Sequence, residues 1–232
     1  MLTNKVPEKD VNDLFTRVAP NYDLMNNMVS LGIQNIWRKQ FLTRLNLKST
    51  DQCLDLCCGT GDSTIALAKK VKLVTGLDFN QVMLKLAHEK IVKKHLQPKV
   101  KLVNGDAMNL PFAARSFDCV TICFGLRNVP DAEKTIKEAY RVLKSGGQFA
   151  ILEMSQPNNQ IIKLGWRAYF EIFPYWAKLV KSNVRDYQYL SKTSKEFLSA
   201  QQLKQLLVKN GFSHVAVKKL TGGAAAIHIG IK

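Results

Sequence analysis

Glycine and acid recur at the ends of apolar runs in the first half of the chain. Residues 54–62 read LDLCCGTGD, so Gly59-Thr60-Gly61 follows one such run. Asp78 closes KLVTGLD, and Asp106 closes KVKLVNGD. Glycine lets backbone approach a ligand closely, and a helix start presents free N–H groups to an anion. A carboxylate at Asp78 can accept both hydroxyls of a ribose, and one at Asp106 can accept an exocyclic amine such as adenine's. An anionic end, a ribose and an adenine together describe a nucleoside cofactor. The alternative is that the acids are solvated strand ends and the glycines plain turns.

The dinucleotide fingerprint G-x-G-x-x-G is broken, because its third position is Thr64. A phosphate-cradling G-x-x-x-x-G-K-[ST] is absent from the sequence. A ligand presenting one carboxylate to the loop suits the methionine end of S-adenosylmethionine. The five cysteines are Cys53, Cys57, Cys58, Cys119 and Cys123; none forms C-x-x-C, and the four histidines lie elsewhere. No zinc ligand set can be assembled, so no metal is expected and the thiols read as small buried core residues.

These residues need a frame that brings strand ends together. Strand-like 52–56, 72–78, 99–106, 117–124 and 148–154 alternate with helix-like 63–71, 81–94 and 131–147, the last closed by Gly146-Gly147. That rhythm predicts an α/β, doubly wound, mostly parallel sheet, with ligands beyond the strands' carboxyl ends. HVAVKKL and AAAIHIGIK, joined at Thr221-Gly222-Gly223, read as two closing antiparallel strands, seven in all. The whole of 1–232 reads as a single domain with two helical additions. One is an N-terminal cap over 1–48. The other is an aromatic insert over 155–198 that reads as a substrate lid, with a helix break or kink expected at Pro174.

Lysine and arginine number 34 against 18 acids, a net charge of +16. That favours a polyanion or an anionic membrane face. The first 20 residues lack a signal-peptide apolar region, and no window approaches a membrane span, so the expected location is the cytosol, peripheral to the inner membrane face.

Over almost its whole length the chain resembles the ubiquinone/menaquinone biosynthesis C-methyltransferase family. The stretches that carry this are FTRVAPNYDLMNNMVSLG (15–32), LDLCCGTGD, LDFNQVML (77–84), NGDAMNLPF (104–112), FGLRNVPD (124–131), RVLKSGGQFAILEMS (141–155), YQYLSKTSKEF (187–197) and LTGGAAAIHIGIK (220–232). FGLRN and TGG…AIH are narrow signatures. The resemblance implies a Rossmann-like class I methyltransferase fold, S-adenosylmethionine as cofactor, and methylation of a ring carbon of a prenylated hydroquinone. It also implies that Thr60, Asp78, Asp106, Ala107 and Cys123 line the cofactor site, beside the Gly59 and Gly61 of the loop. The sequence departs from the family at Gln34, where histidine is usual, and at Pro130, where threonine is common. Cys57-Cys58 replaces a frequent Ala-Gly and is more similar to menaquinone-only bacterial members, which makes demethylmenaquinol to menaquinol the expected reaction. A methyltransferase acting on RNA or on another small aromatic is the alternative; no Asn-Pro-Pro-Tyr-type base clamp supports RNA, and no nucleic-acid partner is expected.

Carbon methylation needs a stabilised phenolate, a route for the ring proton and exclusion of water. Arg127 is the expected phenolate partner, its alternative a structural ion pair. Asn128 is expected to orient a ring oxygen. Tyr22 and Asp23 are expected to act as base or to close the site; helix cap and packing pair is their bland reading. His228, among period-2 apolar neighbours, reads as a core histidine. Trp166, Tyr169, Phe170, Phe173 and Trp176 are expected to roof a prenyl tail, with Lys163, Arg167, Lys178, Lys181 and Arg185 toward anionic lipid. The alternatives are an ordinary packed helix or a homodimer contact.

Overall fold

A computed structural model describes residues 6–157, 159–180 and 183–232. Three helices come first: α1 (Glu8–Val18), α2 (Tyr22–Ser30) and α3 (Ile33–Arg44). The alternating unit follows: β1 (Gln52–Leu56), α4 (Asp62–Ala68), β2 (Leu73–Asp78), α5 (Gln81–Lys93), β3 (Val100–Asn104), β4 (Phe117–Cys123), α6 (Ala132–Val142) and β5 (Leu143–Met154). The insert is α7 (Gln160–Ile172), a 3₁₀ segment Phe173–Val180 and α8 (Val184–Glu196). Then α9 (Ala200–Lys209) leads into the closing pair β6 (Ser213–Leu220) and β7 (Ala225–Ile231).

The seven strands lie in the order β3-β2-β1-β4-β5-β7-β6. β1 to β5 are parallel, and β7 runs antiparallel to both β5 and β6. This is the doubly wound sheet expected, and it brings the exits of β1, β2, β3 and β4 to one edge. One face packs Leu54, Val120 and Ile151 under Ile136 and Leu203. The other packs Cys53, Val74 and Cys119 under Trp37, Phe41 and Leu67. The central strands are therefore apolar on both faces, as a covered parallel sheet requires.

A third core lies off the sheet. Val11, Phe15 and Met25 of the N-terminal helices pack with Trp166, Phe170 and Tyr187 of the insert. The two additions, remote in sequence, therefore share one core. Arg17 adds a forked bond to Asp186, with Nε at 3.1 Å and a terminal nitrogen at 2.6 Å.

The expected helix over 131–147 ends instead at Val142, and β5 begins before the two glycines. Gly146 (φ +76°) and Gly147 form an irregularity where the pairing jumps from Phe117–Leu143 to Cys119–Gln148. A side chain at Gly147 would sit 2.9 Å from the carbonyl oxygens of Asp118 and Lys144. The glycines thus serve a strand bulge, not a helix stop. Pro174 lies where expected relative to the break: α7 ends at Ile172.

Candidate active site

The β1 exit is a set of tight turns. Cys57 (φ +51°), Gly59 (φ +55°) and Gly61 (φ +84°) are all left-handed. Gly61 packs so closely on α5 that a Cβ would lie 3.1 Å from the Ala87 Cβ. The Gly59 N–H donates to Asp78 Oδ2 (2.8 Å), and the Asn80 N–H to Oδ1 (2.9 Å). Burial raises the Asp78 pKa, and these amide donors oppose the rise. Asp106 Oδ1 accepts from the Met108 N–H at 2.7 Å.

Two cavities meet here. The smaller, about 720 Å³, is lined by Asp78, Asp106, Ala107 and Asn128, with Val11 and Phe15 of α1 across from them. The larger, about 1470 Å³, runs from Thr60, Asp62 and Arg38 past Arg127 to the insert's Trp166 and Tyr169. Tyr22, Cys57, Gly59, Cys123 and Phe124 line both.

Thr60 does not stand alone. Its Oγ1 donates to Asp23 Oδ1 (2.7 Å) and accepts from Lys90 Nζ (2.9 Å). Lys90 also pairs with Asp23 (2.5 Å) and Asp62 (2.8 Å). Asp23 thus ties α2 to the loop. Tyr22 is half-buried, and desolvation raises its hydroxyl pKa while Arg127 opposes this. Such a phenol keeps its proton at neutral pH and donates rather than abstracts.

Arg127 sits on a 3₁₀ turn (Leu126–Asn128) after β4. A terminal nitrogen donates to Glu153 Oε1 (2.6 Å) and to the Phe124 carbonyl (2.7 Å). Glu153, on β5, is 1% exposed, and its Oε2 accepts the Arg127 N–H. Arg127 is therefore both a buried ion pair and a wall of the larger cavity. Sequence reasoning put Arg127 and Asn128 on one ring. The 3₁₀ turn sends successive side chains about a third of a turn apart, and Asn128 lines the smaller cavity instead.

Cys57 is the clearest departure among the thiols. Cys53, Cys58 and Cys119 are buried as expected, but Cys57 lies in the wall shared by the cavities. Its positive φ turns it out of the β1 register, and Phe124 (φ +58°) does the same at the β4 exit. A Cβ on Gly125 would come 2.4 Å from the Cys57 Cβ, so glycine is required there. Burial pushes the Cys123 thiol up to about 12, so it is not a thiolate. No group of three metal-ligating side chains occurs among the described residues.

Several wall residues carried no motif. Asp55 is 1% exposed, accepts from Thr64 (2.6 Å) and Thr121 (2.7 Å), and is pushed up to about 6 by burial. An acid inside the apolar LDL was the available signal. Arg38 approaches Asp62 (3.6 Å) and donates to Asn35 (3.2 Å), while its Nε is buried without a partner among the described residues. Gln34 donates to Asn27 Oδ1 at 3.1 Å and lines the larger cavity. His228 is buried, its Nε2 against the Ala200 carbonyl at 2.8 Å. Of the expected roof, Trp166, Tyr169, Phe170 and Phe173 line the larger cavity; Trp176 packs edge-on to Tyr169 (5.9 Å). Lys181 lies outside the described residues, while Arg167, Lys178 and Arg185 are exposed.

The model of the ubiE/COQ5 methyltransferase family matches residues 3–232. A demethylmenaquinone methyltransferase of Lactobacillus johnsonii is 62% identical, covering 100% of this chain and 96% of the relative. One of Staphylococcus saprophyticus is 42% identical over 100% of both chains. Among solved structures, a SAM-dependent methyltransferase of Thermotoga maritima, titled a possible histamine N-methyltransferase, superposes with TM-score 0.71. It is 20% identical and covers 96% of this chain and 99% of its own. A Haemonchus contortus phosphoethanolamine N-methyltransferase, solved with S-adenosylhomocysteine, superposes at TM-score 0.62 and 18% identity, covering 84% and 52%. These two likenesses speak to the fold.

Proposed function

This chain belongs to the ubiE/COQ5 methyltransferase family, and on that premise we propose that it methylates a ring carbon of a demethylmenaquinol, yielding menaquinol. It is an S-adenosylmethionine-dependent methyltransferase. The residues present fit that cofactor: Asp106 and the buried Asp78 line one cavity, and Arg38 of α3, whose Nε has no partner among the described residues, lines the adjoining one. Asp78 would hold the ribose hydroxyls, and Asp106 with Ala107 the adenine. Arg38, beside Thr60 and Asp62, would hold the carboxylate end. When bound, the cofactor supplies a sulfonium methyl group; the C–S bond breaks as the new C–C bond forms, and its electron pair stays on sulfur.

The observation that carries the reading is the common wall of the two cavities. Tyr22, Cys57, Gly59, Cys123 and Phe124 line both the cavity that holds Asp78 and Asp106 and the one that runs to the insert's aromatic residues. Arg127 stands on the aromatic side and is held in place by Glu153. Its guanidinium stabilises the ring oxygen as negative charge develops there, in a wall shielded from water. Tyr22 donates to the same region. After transfer the ring carbon gives up its proton to water, because Asp55 and Asp62, the carboxylates that line the larger cavity among the described residues, are already held by Thr64, Thr121 and Lys90. The cap and insert exclude bulk solvent, with the insert acting as lid.

The prenyl tail lies along Trp166, Phe170 and Phe173, and the open end faces an anionic membrane surface. Ile161, Leu164, Ile172 and Tyr175 of the insert are exposed, as are Arg167 and Lys178. No helix among the described residues is long and apolar enough to cross a membrane, so contact would be peripheral.

The test supplies S-adenosylmethionine and a short-tailed demethylmenaquinol in detergent, with total RNA as a competing acceptor. Ring-methylated quinol by mass spectrometry is expected. Methyl incorporation into RNA alone would overturn the reading. Sedimentation with anionic vesicles at low salt and release at high salt is expected for the membrane contact; a concentration-dependent dimer with no vesicle binding would assign that face to a second copy.

A further inference from the structure

A quinol ring carries two oxygens, and Arg127 accounts for one. Trp166 and Tyr169 are three residues apart on α7, hence on one face of the helix, and both line the larger cavity. Trp166 Nε1 and the Tyr169 hydroxyl are buried and have no hydrogen-bond partner among the described residues. Another aromatic donor of this cavity differs: Trp37 Nε1 donates to Thr221 Oγ1 at 2.9 Å. Two neighbouring orphans on a ligand wall are uncommon, because a buried donor left unpaired costs stability. Their rings are fixed by stacking, Trp166 on Phe170 (4.5 Å) and Tyr169 on Phe173 (5.8 Å), so neither can turn freely to find a partner.

We infer that Trp166 and Tyr169 donate to the second ring oxygen of the substrate, the one remote from the reacting carbon. The inference rests on the quinol reading above. It makes the insert a reader of doubly oxygenated rings, and so a source of specificity rather than only a greasy cover. Burial also pushes the Tyr169 hydroxyl up to about 12, which keeps it a donor throughout the working pH range. A site built to bond an oxygen discriminates against an analogue lacking it, because its donors are then stranded.

Tyr169→Phe and Trp166→Phe are compared with the wild type on two acceptors: the short-tailed demethylmenaquinol, and its analogue with the remote hydroxyl replaced by hydrogen. Wild-type methylation of the diol is the control for the quinol reading, and its absence would sink that reading itself. The wild type should show a KM for the analogue about 3- to 10-fold above that for the diol. Each variant should raise the diol KM by a similar factor, leave kcat for the diol within about twofold, and lose the discrimination between the two acceptors. Unfolding temperature without ligand should be unchanged or higher in Tyr169→Phe, because an orphan donor is removed. Unchanged diol KM with discrimination intact would overturn the inference. So would a fall in unfolding temperature accompanied by equal losses on both acceptors, which would mean a packing role.

Discussion

The smaller cavity takes its polar wall from loops that leave the parallel strands, whereas the larger takes most of its wall from helices at opposite ends of the sequence. On the smaller side, acids are held by backbone: Asp78 by Gly59 and Asn80, Asp106 by Met108. On the larger side, buried polar groups are held by other side chains, as Arg127 is by Glu153, or have no partner among the described residues, as with Trp166 and Tyr169. Backbone-held groups are preorganised by the fold itself. Side-chain-held groups depend on packing between the cap, the insert and β5, so substitutions there should affect both chemistry and stability.

The largest expected effect tests that coupling. Arg127→Met removes the donor proposed for the ring oxygen, a loss of about 2.7–4 kcal/mol of barrier or roughly a hundred- to a thousandfold in turnover. It also strands Glu153 in a buried site, at a cost of about 3–5 kcal/mol in folding stability. Arg127→Lys keeps a charge for Glu153 but not the planar fork, so it should fold well and recover turnover only in part. Thermal unfolding with single-turnover kinetics checks both. Near wild-type turnover in a folded Arg127→Met would leave the residue only its ion-pair role.

Next is Asp55, where the sequence held a signal that was not used. Its carboxyl is pushed up to about 6 from 3.8, with burial opposed by Thr64, Thr121 and Arg38 and reinforced by Asp78. Between roughly pH 4 and 6 the unfolded chain has this group ionised while the folded chain keeps it protonated. The folded state then binds more protons, so stability falls as pH rises through that window, by about 3 kcal/mol in total. Asp55→Asn should remove that slope, read as the wild-type minus variant difference in denaturant midpoints across pH. A difference flat with pH would contradict the assignment.

What could be read from the chain follows the same division. The strand-exit positions of Gly59, Thr60, Asp78 and Asp106 were legible because each sits at the end of a short apolar run, and parallel topology brings such ends together. Cys57 was misread as core because nothing in the letters reports its left-handed backbone. That Asn128 lines a different cavity from Arg127 was not legible, because a one-residue step on a 3₁₀ turn decides which cavity a side chain enters. Glu153 and Arg38 were missed because their roles depend on contacts with remote segments, which periodicity does not encode. The helix over 131–147 overran because Gly-Gly serves a strand bulge as well as a helix stop.

Asp78→Ala sharpens the backbone-held side. It removes a buried acceptor from the proposed ribose site and frees the Gly59 and Asn80 amides, so S-adenosylmethionine affinity should fall by about 1.5–3 kcal/mol. Titration calorimetry reads this directly, and unchanged affinity would move the ribose elsewhere.

Asp23 should give the smallest effect, and the size of that effect decides its role. It was expected to be either base or closure. Its Oδ1 is taken by Thr60 and its Oδ2 by Lys90, so it latches α2 to the loop after β1. The pair is partly solvated, with side-chain exposures of 27% for Lys90 and 40% for Asp23, and such pairs contribute below about 1 kcal/mol. Asp23→Ala should therefore weaken cofactor binding by less than about fivefold and leave turnover at saturating cofactor within a few-fold. The wild type should lose most of that advantage at high salt, converging on the variant, because screening acts on the latch. Loss of a general base would instead cost about a hundred- to ten-thousandfold in turnover whatever the salt. Turnover of Asp23→Ala at saturating cofactor, in low and high salt, separates the two by at least an order of magnitude. A large, salt-independent loss would restore Asp23 as the base and take the ring proton to protein rather than to water.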